Sequence, residues 1–206
     1  MPSSHSSSEA DGLTRGSFIL RGALATAAAY GAGAVTPFVR AAFAQSDASD
    51  AQLLDFVLRL ETLELTFYDQ ALAQVPALSS RVRSLVREIR DHEQEHQRIL
   101  TDTLGQLGIR TSQTPKFNFG DAFSSQTRFL AVSQSFEDTS VAAYNGAAPM
   151  VFDTHLLQIV GQIVQVEARH AAVVADLRGQ PITPGAFERG LKPDEVAQRV
   201  KPYVVG

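Results

Sequence analysis

Apolar and polar residues alternate with helical periodicity over four long segments of the chain. Within each segment apolar residues recur every three or four positions, the spacing of one face of an α-helix. Serine, aspartate, glycine or proline residues punctuate the segments and predict where the helices begin and end. The predicted helices run from Ala51 to Gln74, from the Ser79 and Ser80 caps to Gly108, from Ser124 to Asn145, and from Asp153 to Arg178. No strand pattern competes with them, so the predicted fold class is all-α.

The connections between these helices differ in length. The first and third are short, whereas residues 109–123 contain Pro115 and Gly120 and predict a long crossover rather than a tight turn. A short, a long and a short connection in that order are typical of a four-helix bundle with one crossover. The predicted organisation is an export signal over residues 1–44, a polar linker over 45–50, the bundle over 51–178, and a tail over 179–206 that packs on the bundle and contains one short helix from Pro193 to Val200.

The first 44 residues have the pattern of an export signal. A serine-rich start precedes a mildly apolar run, and Ala42 to Ala44 form a small-x-small cleavage site. The run contains Arg21 and little leucine, which disfavours a permanent membrane helix. Residues 14–19 resemble a twin-arginine leader, with Gly16 where the second arginine belongs. We therefore expect an exported protein, periplasmic or extracellular, with no stable membrane span after leader removal; a retained leader would anchor it.

Composition narrows the function classes. With 44% hydrophobic and 19% charged residues, the chain fits one globular domain and a leader. A net charge of −4 gives no electrostatic footprint for nucleic acid. Cysteine is absent, which excludes disulfides, zinc-thiolate sites and iron–sulfur ligation by this chain. Assembly into a homo-oligomer stays open.

Two Glu-x-x-His sequences are the strongest candidates for chemistry. They are Glu93 with His96 in the second predicted helix and Glu167 with His170 in the fourth. Residues three apart lie on one face of a helix, so each pair can bind one ion together. Both pairs fall in the middle of an apolar stripe and are predicted to face the core. The stripes are Val82, Val86, Ile89, Glu93, His96, Leu100 and Leu107 in one helix, and Leu156, Val160, Ile163, Glu167, His170, Val174 and Leu177 in the other.

A further carboxylate precedes each Glu-x-x-His pair on an earlier helix. The third helix offers Glu137, and the first offers both Glu61 and Glu64. We favour Glu61, because Tyr68 follows it by seven residues just as Tyr144 follows Glu137, which indicates an internal duplication. If Glu61 is the ligand, Glu64 is an outer acid or a fifth carboxylate that must be protonated or paired.

Burial of several carboxylates in one core requires compensation, since an ionised carboxylate without a partner is strongly unfavourable there. Two divalent cations would supply four positive charges against four glutamates. The competing interpretation is a set of buried polar residues that hydrogen-bond across the bundle. His92, at the edge of its stripe, is interpreted as a boundary residue rather than a third nitrogen ligand. The predicted metal ligands are Glu61 or Glu64, Glu93, His96, Glu137, Glu167 and His170.

These motifs resemble the ferritin-like superfamily, and more narrowly its exported bacterial members. The segments VEARHAAVV and FERGLKPDEVAQRVKPYVV add to the resemblance, which covers about Asp50 to Val205. It implies a dinuclear iron or manganese site that reacts with O₂ or peroxide, as a ferroxidase or a catalase-like enzyme. It also implies that Tyr68 and Tyr144 hydrogen-bond to the ligand carboxylates. Because the resemblance includes desiccation-associated members, a second hypothesis is a non-catalytic exported bundle in stress protection or protein interaction.

Overall fold

The computed structural model describes residues 46–75 and 78–205 of the protein. The predicted export signal over residues 1–44 lies outside these residues. Within the described ranges, no helix has both the length and the apolar character that a membrane span requires.

Five α-helices make up most of the described chain, and the predicted all-α class is confirmed. They are α1 (Ser46–Gln74), α2 (Ser80–Gln106), α3 (Gln126–Ala147), α4 (Thr154–Leu177) and α5 (Pro193–Val200). Short 3₁₀ turns follow α3 and α5, at Ala148–Met150 and Lys201–Tyr203.

Side-chain caps set the starts of three helices. The hydroxyls of Ser79 and Ser125 each accept a hydrogen bond from the backbone three residues later, and the carboxylate of Asp153 accepts two at the start of α4. These contacts satisfy backbone N–H groups that have no partner inside the helix. At the other ends, Gly108 and Gly179 adopt φ angles of 70° and 66°, a conformation that glycine reaches without a steric penalty.

Helix α1 begins at Ser46, inside the segment predicted to be a linker. The polar composition of that segment was misleading because Asp50 is only 3% exposed. Its carboxylate accepts hydrogen bonds from the backbone of Phe152 at 3.0 Å and of Asp153 at 2.8 Å. A partner about a hundred residues away therefore satisfies this acid, and local composition does not show it.

Helix α3 continues through Gly146, where the sequence predicted that it would stop. The glycine serves a close approach instead: a Cβ at this position would lie 1.9 Å from the carbonyl oxygen of Leu191. A Cβ on Gly190 would similarly lie 2.7 Å from the Gly146 nitrogen. The backbone of Leu191 donates to the carbonyl of Ala142 at 2.8 Å, so these two glycines let the tail lie directly on α3.

A two-residue strand pair links the crossover to the tail. Strand β1 (Lys116–Phe117) pairs antiparallel with β2 (Val204–Val205). This strand pair is not visible in the sequence, because two residues are too few to show an alternating pattern. The pair fixes one point of the long crossover between α2 and α3.

The core has an aromatic end and an aliphatic end. Phe67 occupies the centre of the aromatic end, where the ring centroids of four other phenylalanines lie 5.0 to 5.3 Å away: Phe119, Phe123, Phe129 and Phe136. The opposite end is built mainly from leucine and valine, among them Leu54, Leu100, Leu104 and Val160. Leu107, predicted to lie on the stripe of α2, is 48% exposed, because α2 ends before it and Leu104 takes the inner position.

Candidate metal centre

Five glutamates and two histidines meet between the two ends of the core. They come from all four long helices: Glu61 and Glu64 on α1, Glu93 and His96 on α2, Glu137 on α3, and Glu167 and His170 on α4. The glutamates are at most 1% exposed and the histidines 5 to 6% exposed. The middle of each apolar stripe therefore faces inward, as its phase predicts.

Six of the seven predicted ligand side chains form two overlapping groups, and the seventh, Glu64, lies outside both. The first group is Glu61, Glu93, His96 and Glu167, and the second is Glu93, Glu137, Glu167 and His170. Within each group the ligand atoms lie within 4.8 Å of one another. Glu93 and Glu167 belong to both groups, so they lie between two positions that a cation could occupy. Glu64 belongs to neither.

Both histidines turn the same ring nitrogen toward the carboxylates. His96 Nδ1 lies 2.9 Å from Glu167 Oε1 and 3.2 Å from Glu61 Oε2. His170 Nδ1 lies 2.9 Å from Glu93 Oε1 and 3.5 Å from Glu137 Oε2. The two halves of the centre thus repeat one arrangement, in which each Nδ1 points to the middle of its own group.

Two tyrosines hold the carboxylates that lie at the outer sides of the centre. The Tyr144 hydroxyl on α3 donates to Glu61 Oε1 at 2.5 Å. The Tyr68 hydroxyl on α1 donates to Glu137 and contacts Ser133 Oγ at 2.6 Å. Burial, with the neighbouring carboxylates, raises the pKa of both tyrosines well above its usual range. Each hydroxyl therefore remains a donor to the glutamate of the opposite helix.

Glu64 lies beside the centre and is bound differently. Its Oε2 accepts a hydrogen bond from Ser140 Oγ at 2.6 Å, and its Oε1 has no partner among the described residues. Burial first, and then the four surrounding carboxylates, raise the pKa of Glu64 well above its usual range. Burial also raises the pKa of Glu93, but His170 and His96 oppose that rise, whereas no histidine in the described chain opposes it at Glu64. Glu64 is therefore the glutamate best suited to carry a proton.

The two histidines can offset only part of the negative charge of the buried carboxylates. Burial alone would lower the pKa of His96, but the close carboxylates of Glu167, Glu61 and Glu93 outweigh it and raise the pKa to about 12. Burial would likewise lower the pKa of His170, but the carboxylates of Glu137, Glu167 and Glu93 outweigh it and raise the pKa. Two protonated imidazoles thus offset part of the charge of the carboxylates when no cation is bound, and bound cations would displace these protons.

Several buried oxygens converge on the centre without a hydrogen bond among the described residues. They are both carboxylate oxygens of Glu93, both of Glu167, and Oε2 of Glu137. His170 Nδ1 is also without a hydrogen bond, although Glu93 Oε1 is 2.9 Å away. The two atoms are close, but their angle is unsuitable for a hydrogen bond. An unpaired buried carboxylate is costly. These atoms could therefore serve as ligands of metal ions.

His92 connects the centre to the surface. Its Nδ1 lies 3.0 Å from His170 Nε2, and the two rings are within 8° of parallel. Burial, and then the charge of His170, lower the pKa of His92. The ring is exposed and belongs to neither group of ligand atoms, in agreement with its interpretation as a boundary residue, but the contact with His170 was not predicted.

A surface cavity of about 440 Å³ lies over this contact, between α2 and α4. The three histidines His92, His96 and His170 line it, together with apolar side chains. Its charged residues are Glu88, Glu95 and Arg169. The cavity is the place where a small molecule would come nearest to the buried histidines from solvent.

Sequence reasoning missed the two serines of the centre. Ser133 lies four residues before Glu137 and Ser140 three residues after it, so all three share one face of α3. The sequence feature that could have identified them is a small polar residue at a core-facing position of the third predicted helix.

Comparison with known proteins gives one family match. Residues 49–180 match the family described as ferritin-like domain. No curated protein matches the chain.

Proposed function

The chain belongs to the ferritin-like domain family, and from this membership and its buried centre we propose a dinuclear iron or manganese site that performs redox chemistry on O₂ or peroxide. The observation that carries the proposal is the overlap of the two ligand groups through Glu93 and Glu167. Two carboxylates shared by adjacent positions are suited to bridging a pair of ions.

The donor set favours iron or manganese. It consists of carboxylate oxygens and imidazole nitrogens, and the chain has no cysteine to supply a thiolate. Such ligands suit iron and manganese, with zinc as a non-native occupant. With Glu64 protonated, four ionised glutamates would face four positive charges, which is the balance that a pair of divalent cations requires.

Each residue of the centre has a distinct role in this proposal. Glu93 and Glu167 would be shared by the two positions, His96 and His170 would each bind one ion, and Glu61 and Glu137 would complete the two ligand sets. Tyr144 and Tyr68 hold the latter two glutamates in place through their hydroxyls. When bound, the ions supply the electron transfer that reduces O₂ or disproportionates peroxide.

The protein environment would control access to this chemistry. The ligand carboxylates are buried, so bulk water is kept away from them. The cavity between α2 and α4 brings a molecule of the size of O₂ or peroxide to the outer edges of His96 and His170. A ferroxidase and a catalase-like enzyme would both use this approach.

Export forms part of the proposal. The apolar run and the cleavage motif within residues 1–44 support a periplasmic or extracellular location, and the resemblance of residues 14–19 to a twin-arginine leader supports export of the folded, metal-loaded protein.

One observation favours a second candidate, a non-catalytic bundle in stress protection or protein interaction. The Nδ1 atoms of His96 and His170 each lie 2.9 Å from a carboxylate oxygen of the centre, so protonated imidazoles would offset part of the carboxylate charge without a cation. A bundle of this kind could stay folded without cations, and its stability would then be insensitive to chelators.

Metal analysis of the full chain tests the leading proposal. Protein purified after growth with iron and manganese is analysed for its elements, and absorption spectra are recorded before and after addition of Fe(II) and O₂, and then of peroxide. We expect about two ions per chain, and a loss of both in Glu93→Ala. The control is Glu95→Ala, which changes an exposed carboxylate two residues away that pairs with Arg98.

Two results would count against the proposal in different ways. Less than one ion per chain, unchanged in Glu93→Ala, would overturn the metal centre itself. Full ion content without any spectral response to O₂ or peroxide would leave the metal centre standing and remove the redox chemistry.

A further inference from the structure

The contact between His92 and His170 has the geometry of a hydrogen bond in the plane of the rings. The nitrogen atoms are 3.0 Å apart, whereas the ring centroids are 5.2 Å apart and the planes differ by 8°. The centroid separation is nearly the nitrogen separation plus the distance from each nitrogen to its own ring centre, so the rings meet edge to edge rather than face to face. A proton on one nitrogen can therefore lie on the line that joins them.

The position of His170 decides which nitrogen carries that proton. Its Nδ1 faces Glu93 and Glu137 in the centre, so a cation held there would bind Nδ1. The remaining nitrogen, Nε2, then carries hydrogen and donates it to His92 Nδ1. A partner of this kind fixes the tautomer and the orientation of a ligand histidine and increases its basicity.

The other half of the centre lacks this contact. His92 lies four residues before His96 in its helix, and the residue four before His170 is Val166. Valine has no side-chain acceptor, and His96 has no hydrogen bond beyond the carboxylates in the described residues. The internal duplication is thus broken at one position that touches a candidate ligand.

We propose that His92 is a positioning residue for His170 and makes the two ion positions inequivalent. This inference rests on the proposed metal centre. The ion bound by Glu93, Glu137, Glu167 and His170 depends on His92, whereas the ion bound by the group of His96 does not. Loss of such a partner lowers metal affinity by about 10- to 100-fold.

Titration of the metal-depleted full chain with cobalt(II) chloride, followed by absorption and by elemental analysis, tests the proposal. His92→Phe keeps a ring of similar size but removes the acceptor, and we expect it to weaken one of the two ions by about 10- to 100-fold. His92→Gln retains an amide oxygen that can accept from Nε2, and it should restore most of that loss. Val166→Ala, the matched change beside His96, should leave both affinities as they are.

A double-mutant cycle assigns the effect to His170. Once His170→Ala is present, His92→Phe should cause no further loss of cobalt affinity. The inference is overturned if both ions weaken equally in His92→Phe, if neither changes, if His92→Gln gives no recovery, or if His92→Phe still acts in the His170→Ala background. A wild-type chain that binds two ions alongside an unaffected His92→Phe variant would overturn this inference alone, whereas a wild-type chain that binds no cobalt would overturn the proposed centre as well.

Discussion

Glu64 and Ser140 face each other across the bundle, and the Ser140 hydroxyl donates to Glu64 Oε2 at 2.6 Å. Glu64 lies three residues after Glu61, and Ser140 three residues after Glu137, so the two occupy equivalent positions in the duplicated helix pairs. The contact therefore joins the two halves of the chain at the same point of each. One half has a carboxylate there and the other a hydroxyl, which is why the centre has five glutamates rather than six.

Glu64→Gln should leave ion binding intact, because Glu64 lies in neither ligand group and its raised pKa makes a neutral side chain a close substitute. Glu61→Gln, three residues away, removes a carboxylate that belongs to the first group and should lower the ion content. Elemental analysis after dialysis distinguishes the two variants. Equal losses in both would show that Glu64 is a ligand.

Removal of the tyrosine hydroxyls should destabilise the protein. Tyr144→Phe leaves Glu61 Oε1 without its donor, and a buried acceptor that loses its partner costs about 1–3 kcal/mol. Tyr68→Phe should cost at least as much, because this hydroxyl contacts both Glu137 and Ser133. Urea unfolding of the metal-depleted chain measures both changes.

Tyr203→Phe is the control for these two variants, since its hydroxyl makes no hydrogen bond to the described residues while its ring packs on Phe136. It should unfold at nearly the wild-type urea concentration. A loss in Tyr203→Phe as large as in Tyr144→Phe would mean that the carboxylate contacts are not the cause.

The two helical glycines Gly146 and Gly161 should respond in opposite ways to alanine. A Cβ at Gly146 would meet the Leu191 backbone, so Gly146→Ala should displace the tail and destabilise the chain by about 1–3 kcal/mol. A Cβ at Gly161 has nothing within 4 Å, so an alanine fits there without displacing a neighbour. Gly161→Ala should therefore stabilise the helix by about 0.5–1 kcal/mol. Urea unfolding gives the sign of the stability change in each variant. Stabilisation by both alanines would contradict the proposed contact at Gly146.

Chelation separates a metal centre from a bundle that does not need metal. A ligand present at 100 times its dissociation constant stabilises the folded state by about 2.7 kcal/mol. For a chain of this size that corresponds to a fall of about 5–10 °C in melting temperature when the ions are removed. Scanning calorimetry with and without EDTA measures the fall. Glu93→Ala should show no response to EDTA, and a wild-type chain equally indifferent would favour the non-catalytic hypothesis.

The buried Asp50 supports the connection between α3 and α4. Its carboxylate is the acceptor for the backbone of Phe152 and Asp153. Asp50→Ala should cost about 1–3 kcal/mol, because it removes the acceptor of two backbone hydrogen bonds that each contribute about 0.5–1.5 kcal/mol. Gln52→Ala, which changes an exposed residue two positions further along α1, is the comparison. Hydrogen exchange at Phe152 and Asp153 should increase only in the Asp50 variant.

The helices and the convergence of the candidate ligands could be predicted because both follow from phase. Glu93 and Glu167 each lie in the middle of an apolar stripe, and a residue at that position of a stripe faces the core whatever the details of packing. The predicted span of α5, Pro193–Val200, was likewise marked by a proline at its start.

Contacts between distant segments could not be predicted in this way. Asp50 looked like part of a linker, and Gly146 looked like a helix terminator, because each was judged by its neighbours in sequence. Their partners, Asp153 and Leu191, lie far along the chain, and only the folded backbone shows that they meet. The link between His92 and His170 was hidden for the same reason.

Each half of the chain contributes one carboxylate to the other half's ligands: Glu167 completes the group of His96, and Glu93 completes the group of His170. Neither helical hairpin on its own contains a whole set. Separation of the hairpins would disrupt both ligand sets at once, so any bound ions would hold the two similar helix pairs together. A single hairpin of this sequence type would have to associate with a second copy to assemble what the fused chain assembles by itself.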